Sequence, residues 1–122
     1  MKVVIHDKRK IFAIQEEFTQ VFPYLKLEFY AKPSAAGGKA AKKLLKHAGK
    51  TLGECRTVHN AGKITISPTM TVVNLEQRFS DVYGLSVQVF RKSGNVWLEA
   101  TITDAWTLEE QNKEGESLSK LN

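Results

Sequence analysis

Apolar residues recur along the chain with two different periods, and the period changes where one element gives way to the next. Val3, Val4 and Ile5 form a brief apolar run of strand length. Ile11, Ile14, Phe18, Val21 and Phe22 then fall three to four apart, which is one face of a helix over about residues 8–22. Asp7 precedes that stripe as a suitable N-cap, and Pro23 ends it because proline lacks the N–H that a helix interior requires. Leu25, Leu27 and Phe29 alternate with Lys26, Glu28 and Tyr30, the period of a strand with one buried face.

The pattern returns in the second half. Ile64 and Ile66 read as a strand, Pro68 with Thr69 or Thr71 opens a helix, and Val72, Leu75, Phe79 and Val82 are its apolar stripe up to Gly84. Leu85, Val87 and Val89 are the inward positions of the next strand. Laid over the first half, Val3 falls on Ile64, Phe18 on Phe79, Val21 on Val82 and Phe22 on Tyr83. After one residue drops out at the turn, Leu27 falls on Val87, Phe29 on Val89 and Tyr30 on Phe90. A register held through three elements marks an internal repeat of a strand–helix–strand unit. Two such units predict an α+β fold, a ferredoxin-like two-layer sandwich: the units interleave into one antiparallel sheet with both helices on one face.

The hairpin signal Ser93-Gly-Asn95 adds a further strand from Val96 to about Thr103. Val96, Leu98, Ala100 and Ile102 are its expected inward positions, with Trp97, Glu99 and Thr101 outward. Thr107-Leu-Glu-Glu110 has the form of a capping box and begins a short helix, with Trp106 as its hydrophobic staple. The acidic tail, about 115–122, is expected to be flexible. Between the two copies lies a basic insert, about 33–62. It opens on the break Pro33-Ser-Ala-Ala-Gly-Gly38, continues as a lysine-rich helix over about 39–49, and contains a second capping box, Thr51-Leu-Gly-Glu54.

The run GLSVQVFRKSGNVWLEATITDAWTLEEQN (84–112), with IHDKRK and FPYLKLEF earlier, resembles a family of small uncharacterised bacterial proteins. The resemblance implies a stand-alone cytoplasmic bacterial domain and carries no activity with it. Residues 63–111 also resemble ubiquitin-like interaction domains in their order of strand, helix, hairpin and short helix, which implies a β-grasp as the alternative fold.

With 122 residues, 42% of them hydrophobic and 25% charged, the chain is expected to form one globular domain. One cysteine makes no internal disulfide, Met1-Lys2 leads into a strand and not an apolar leader, and no apolar run approaches the ~20 residues of a membrane span. Cytoplasmic localisation without membrane attachment is the expectation. The net charge of +5 is unevenly spread. Lys32, Lys39, Lys42, Lys43, Lys46, Lys50, Arg56 and Lys63 face only Glu54 in the middle of the chain, whereas carboxylates dominate from Glu99 onward.

Two surfaces are candidates for function. Lys8, Arg9 and Lys10 open the first helix, where free N–H groups favour an anion, and Lys39, Lys42, Lys43 and Lys46 extend that basic set into the insert. Gly37-Gly38-Lys39 lacks the spacing and the Lys-Ser/Thr pair of a phosphate-binding loop. The second surface is the outward sheet face, where His6, Tyr30, Phe90 and Trp97 stand among Lys26, Ser86, Gln88 and Lys92. His6, His47 and His59 share no ligand spacing with Cys55, so neither a metal nor a cofactor is expected. Cys55 sits three residues from both Leu52 and Val58 and reads as a packing residue, not a nucleophile. With no catalytic constellation, the expected function is a non-enzymatic binding module. It would contact another protein or a second copy, as a homodimer, through Tyr30, Phe90 and Trp97. The alternative is nucleic acid or another polyanion bound through the basic insert.

Overall fold

The structure is a computed structural model describing residues 1–31, 43–44, 49–100 and 103–120. It is an α+β protein with, among the described residues, three α-helices and two small antiparallel sheets. Strand β1 (Lys2–Ile5), helix α1 (Ile11–Val21), strands β2 (Leu25–Ala31) and β3 (Lys43–Leu44) and a 3-10 turn (Leu52–Cys55) come first. Strand β4 (Gly62–Thr65), helix α2 (Val72–Tyr83), strands β5 (Ser86–Ser93) and β6 (Val96–Glu99) and helix α3 (Leu108–Ser119) follow in the same order.

Pairing departs from the ferredoxin-like expectation. That order would set the second strands of the two units at opposite edges of one sheet. Here β1 pairs with β4 alone, and β2 pairs with β5 inside the order β3-β2-β5-β6. Positions matched in the sequence face each other across both ladders, Val3 opposite Ile64 and Glu28 opposite Gln88. β3 joins β2 at Tyr30↔Leu44, and β6 joins β5 at the counterpart Phe90↔Glu99. Each capped turn then docks on the start of its own unit's helix. Ile11 N–H donates to Lys50 O (3.0 Å) and Leu52 N–H to Arg9 O (2.8 Å). Val72 N–H donates to Trp106 O (3.1 Å) and Leu108 N–H to Met70 O (2.8 Å).

The alternation in β2 and β5 turns Leu25, Leu27, Phe29, Val87 and Val89 into a core shared with Ile11, Ile14 and Phe18 of α1 and Leu75 and Phe79 of α2. Each fully buried side chain of this size contributes roughly 1.5–3 kcal/mol. The counterparts Val21 and Val82, assigned to the stripes by spacing, are 45% and 48% exposed, because Phe22 and Tyr83 close the core at the helix ends instead. Helix α3 is fixed by polar contacts: buried Gln111 donates to Thr103 O (2.6 Å) and accepts from Arg91 (3.2 Å), and Asn112 Oδ1 accepts from Tyr24 N–H (2.9 Å). Gly115 of α3 sits so close to Tyr24 that a Cβ there would lie 2.8 Å from Tyr24 Cβ.

Several local expectations are corrected. Helix α1 starts at Ile11 with Lys10 as its N-cap and no side-chain cap, because the carboxylate of Asp7 is taken by Arg56 and His59. Lys43 and Leu44, assigned to a helix, form a strand on the open edge of β2, where ladder hydrogen bonds outweigh the helix preference of lysine and leucine. The remainder of that expected helix, with Lys39, Lys42 and Lys46, lies outside the described residues. Val96 and Leu98 are 55% and 47% exposed, since the hairpin extends beyond the core; of the expected inward positions that are described only Ala100 turns into it, and Thr101 and Ile102 lie outside the described residues. The tail stays helical through Ser119. Trp106 is no staple, because residue 111, its would-be partner, is glutamine; the ring packs under Arg91 at 6.0 Å. His6 follows β1 and so lies off the four-stranded sheet.

Both capping boxes form as the spacing predicts, around Thr51 with Glu54 and Thr107 with Glu110. Backbone N–H donation from the capping threonine, then its hydroxyl, holds the Glu54 and Glu110 carboxyls below the usual carboxylate range. A carboxyl depressed in the folded state adds stability at neutral pH, and that stability is lost as the pH falls through the depressed value. Thermal melts should therefore show Tm declining from about pH 5 toward pH 3, with a flatter decline in Glu54→Gln and Glu110→Gln, where the box survives without the titration.

Candidate functional site

The outer face of the four-stranded sheet brings Tyr30, Phe90 and Trp97 together. Strand alternation places Lys26, Glu28 and Tyr30 of β2 and Ser86, Gln88 and Phe90 of β5 on one side, and β6 adds Trp97 and Glu99. Cross-strand pairs run Lys26↔Phe90, Glu28↔Gln88 and Tyr30↔Ser86. All three aromatics are half-buried. The Lys26 ammonium lies 5.5 Å from the Phe90 ring centroid and 5.1 Å from that of Trp97, and 3.2 Å from Glu28 Oε1. One lysine thus bridges two rings and a carboxylate, an arrangement in which each ring adds about 0.5–1 kcal/mol at an exposed site.

Beside this face, helix α1 closes the edge of β2. Gln15 Nε2 donates to Leu27 O (2.8 Å) and Thr19 Oγ1 to Leu25 O (3.1 Å), so the carbonyls of an otherwise open strand edge are satisfied by side chains. The same helix faces Trp97 across a groove of about 420 Å³ lined by Phe12, Gln15, Glu16, Thr19, Lys26 and Leu27. Phe12 is 42% exposed at its mouth. It lies one residue past the stripe position Ile11, and an apolar residue off the buried stripe was the available signal for this groove.

The face is more acidic than the sequence suggested. Burial and then the carboxylates of Glu99, Glu28 and Glu76 push the Tyr30 phenol above its ordinary value. Glu76 comes from α2, where it accepts the Val89 N–H at 3.2 Å, and Glu99 from β6. Neither was visible as a neighbour of Tyr30 before the strands were placed.

The basic candidates do not converge among the described residues. Arg9 pairs with Glu17 and donates to Val4 O (3.0 Å), and the first N–H of α1 is taken by Lys50 O. Lys8 and Lys10 are exposed. Lys43 contributes its backbone to β3, and Lys39, Lys42 and Lys46 lie outside the described residues.

A polar cluster missed by spacing joins Asp7, Arg56 and His59. The Arg56 side chain is fully buried; its Nε and Nη2 donate to Asp7 Oδ1 at 3.1 and 2.9 Å, and its Nη1 to Tyr83 O at 2.9 Å. His59 Nδ1 lies 2.7 Å from Asp7 Oδ2. Burial alone would raise the Asp7 carboxyl, but hydrogen bonds from Arg56 and His59 outweigh it and hold the group below the usual range. The geometry ties the segment after the 3-10 turn to the loop after β1 and to the end of α2. Cys55 nearby donates its thiol to Thr51 O (3.3 Å), and burial pushes that thiol above its ordinary value, as befits a packing residue. Among the described residues, no group of three or more histidines, cysteines or carboxylates is placed to hold a metal ion, and no helix is long and apolar enough to cross a membrane.

No family model, no curated protein and no solved structure matches the chain.

Proposed function

We propose that the protein is an interaction module that docks a segment of another protein on the outer face of its β3-β2-β5-β6 sheet. The observation that carries this reading is the groove between Phe12 of α1 and Trp97 of β6, on the same sheet face as the half-exposed Phe90 and Tyr30. Aromatic side chains in a shallow, partly apolar cleft are the anchors that protein interfaces use. Glu16, Glu28 and Glu99 on the same surface oppose a phosphate backbone, which favours a protein partner over nucleic acid at this face. On this reading the scaffold is one strand–helix–strand–strand–helix unit present twice, and the Glu28↔Gln88 pair at its twofold centre is also the centre of the docking face.

Selection from a phage-displayed library of 12-residue peptides tests the proposal. Enriched peptides should carry an apolar anchor, and Trp97→Ala or Phe12→Ala should weaken their binding about tenfold or more. Enrichment indifferent to both substitutions, or no enrichment, would remove the reading. Salt-sensitive retention of a single-stranded oligonucleotide by both the native chain and Trp97→Ala would instead favour the basic segment as the binding element.

A further inference from the structure

Strand β6 forms one edge of the four-stranded sheet, and part of its main chain is turned away from the protein. The bond from Ala100 N–H to Val89 O (3.0 Å) fixes the phase of the β5–β6 ladder. Val96 and Leu98 share the phase of Ala100 and point their N–H and C=O groups at β5, so Trp97 and Glu99 point theirs outward. On the open edge of β2 the carbonyls of Leu25 and Leu27 are covered by Thr19 and Gln15 of α1. No such bond reaches the main chain of Trp97 or Glu99 among the described residues. An edge of this kind is a template for another strand.

The side chains of the same hairpin point to which strand that is. Val96 and Leu98 are exposed on one face of β6. On the other face stand Lys92, opposite Trp97, and Glu99, and neither makes an ion pair among the described residues. Consider β6 of a second copy, antiparallel to the first on a twofold axis at Leu98. Trp97 then stands opposite the partner's Glu99, and Glu99 opposite the partner's Trp97. The outward N–H and C=O groups of both strands all bond to one another. Leu98 meets the partner's Leu98, and Val96 lies beside the partner's Ala100. Lys92, Trp97 and the partner's Glu99 form one row across the strands, and the twofold repeats that row. Cation and carboxylate are then about 10 Å apart at the backbone, a span that their long side chains shorten from both ends. A twofold axis at Trp97 would instead set Glu99 against the turn residue Asn95 and break the row.

We infer that the protein forms a twofold dimer by antiparallel pairing of β6 with β6 of a second copy, centred on Leu98, with Lys92 attracted to the partner's Glu99 across Trp97. Charge favours a second copy over an unrelated strand, because the hairpin carries one unpaired charge of each sign and the twofold brings each to the other. The dimer does not depend on peptide docking: the groove reaches Trp97 from α1 and β2, and the second copy lies beyond β6. A contact between strands of four residues falls below the ~1,200 Å² of a stable complex, so the dimer is in equilibrium with monomer.

Sedimentation velocity of the full chain up to millimolar concentration tests this. The native chain should dimerise. Glu99→Lys and Lys92→Glu, both at the surface, should each weaken dimerisation about tenfold or more by setting like charges in the row. The double reversal should restore it to within about threefold. Register is read by crosslinking in a Cys55→Ala background. Leu98→Cys should give a covalent dimer in oxidised glutathione, since opposed residues of this phase lie about 4.5 Å apart at Cα, within disulfide range. Val96→Cys, about 14 Å from its equivalent in this register, should not. A chain that stays monomeric at millimolar concentration overturns the dimer. So does a dimer indifferent to the single reversals or not restored by the double one, or one that crosslinks through Val96→Cys and not Leu98→Cys.

Discussion

Phe79→Ala should destabilise the protein by about 3–5 kcal/mol, the range for removing a buried aromatic from a packed core. Phe79 is completely buried on α2 and meets Phe29 of β2 edge to face, with ring centroids 6.0 Å apart at 86°. Truncation removes transfer energy and leaves a cavity between a helix of one half and a strand of the other, where neither is free to collapse inward. The counterpart Phe18 is equally buried and packs on Phe22 at 5.2 Å, so Phe18→Ala should fall in the same range. Val82→Ala, three residues along the same helix but 48% exposed, should change stability by only about 0.5 kcal/mol or less. Urea denaturation of the three variants decides the matter. A Val82→Ala loss as large as that of Phe79→Ala would mean that the core is drawn on the wrong helix face.

Arg56→Ala should cost about 3 kcal/mol, because a fully buried charged donor loses its bonds to Asp7 and leaves the carbonyl of Tyr83 without its partner. Asp7→Ala should be at least as damaging, since it strands the buried guanidinium, whereas Asp7 in the reverse case keeps His59 and solvent. The double variant should therefore be much less destabilised than the sum of the two single ones. Additive losses in denaturant melts would show that the two residues act separately and that the segment after the 3-10 turn is held by something else. Asp7 also titrates. Its carboxyl is depressed in the folded state, so its contribution is present at neutral pH and fades as the pH drops through that depressed value.

Much of the local structure was legible before the fold. The alternation of Leu25, Leu27 and Phe29 and the spacing of Ile11, Ile14 and Phe18 predict the buried faces that form. The two Thr-Leu-x-Glu segments predict capping boxes that close between neighbours three residues apart. The candidate site was half legible. Tyr30, Phe90 and Trp97 do share a face, with Glu99 outward beside Trp97 as alternation has it, but Phe12 and the carboxylate of Glu76 join it only through α1 and α2.

The residues alone determined the strand–helix–strand order of each half, the two capping boxes and the buried faces of β2, β5 and the middle of α1 and α2, because those properties depend on side chains within one turn or one pleat of each other. Only the tertiary structure decided which strand pairs with which, because every backbone offers the same N–H and C=O groups and a ladder carries no label of its partner. It likewise drew Asp7 away from capping α1, since a buried arginine distant in the chain binds a carboxylate more strongly than a helix end does. And it set the carboxylate of Glu76 from α2 and that of Glu16 from α1 beside a face whose own lysines and glutamates balance, by bringing together charges that the order of residues keeps apart.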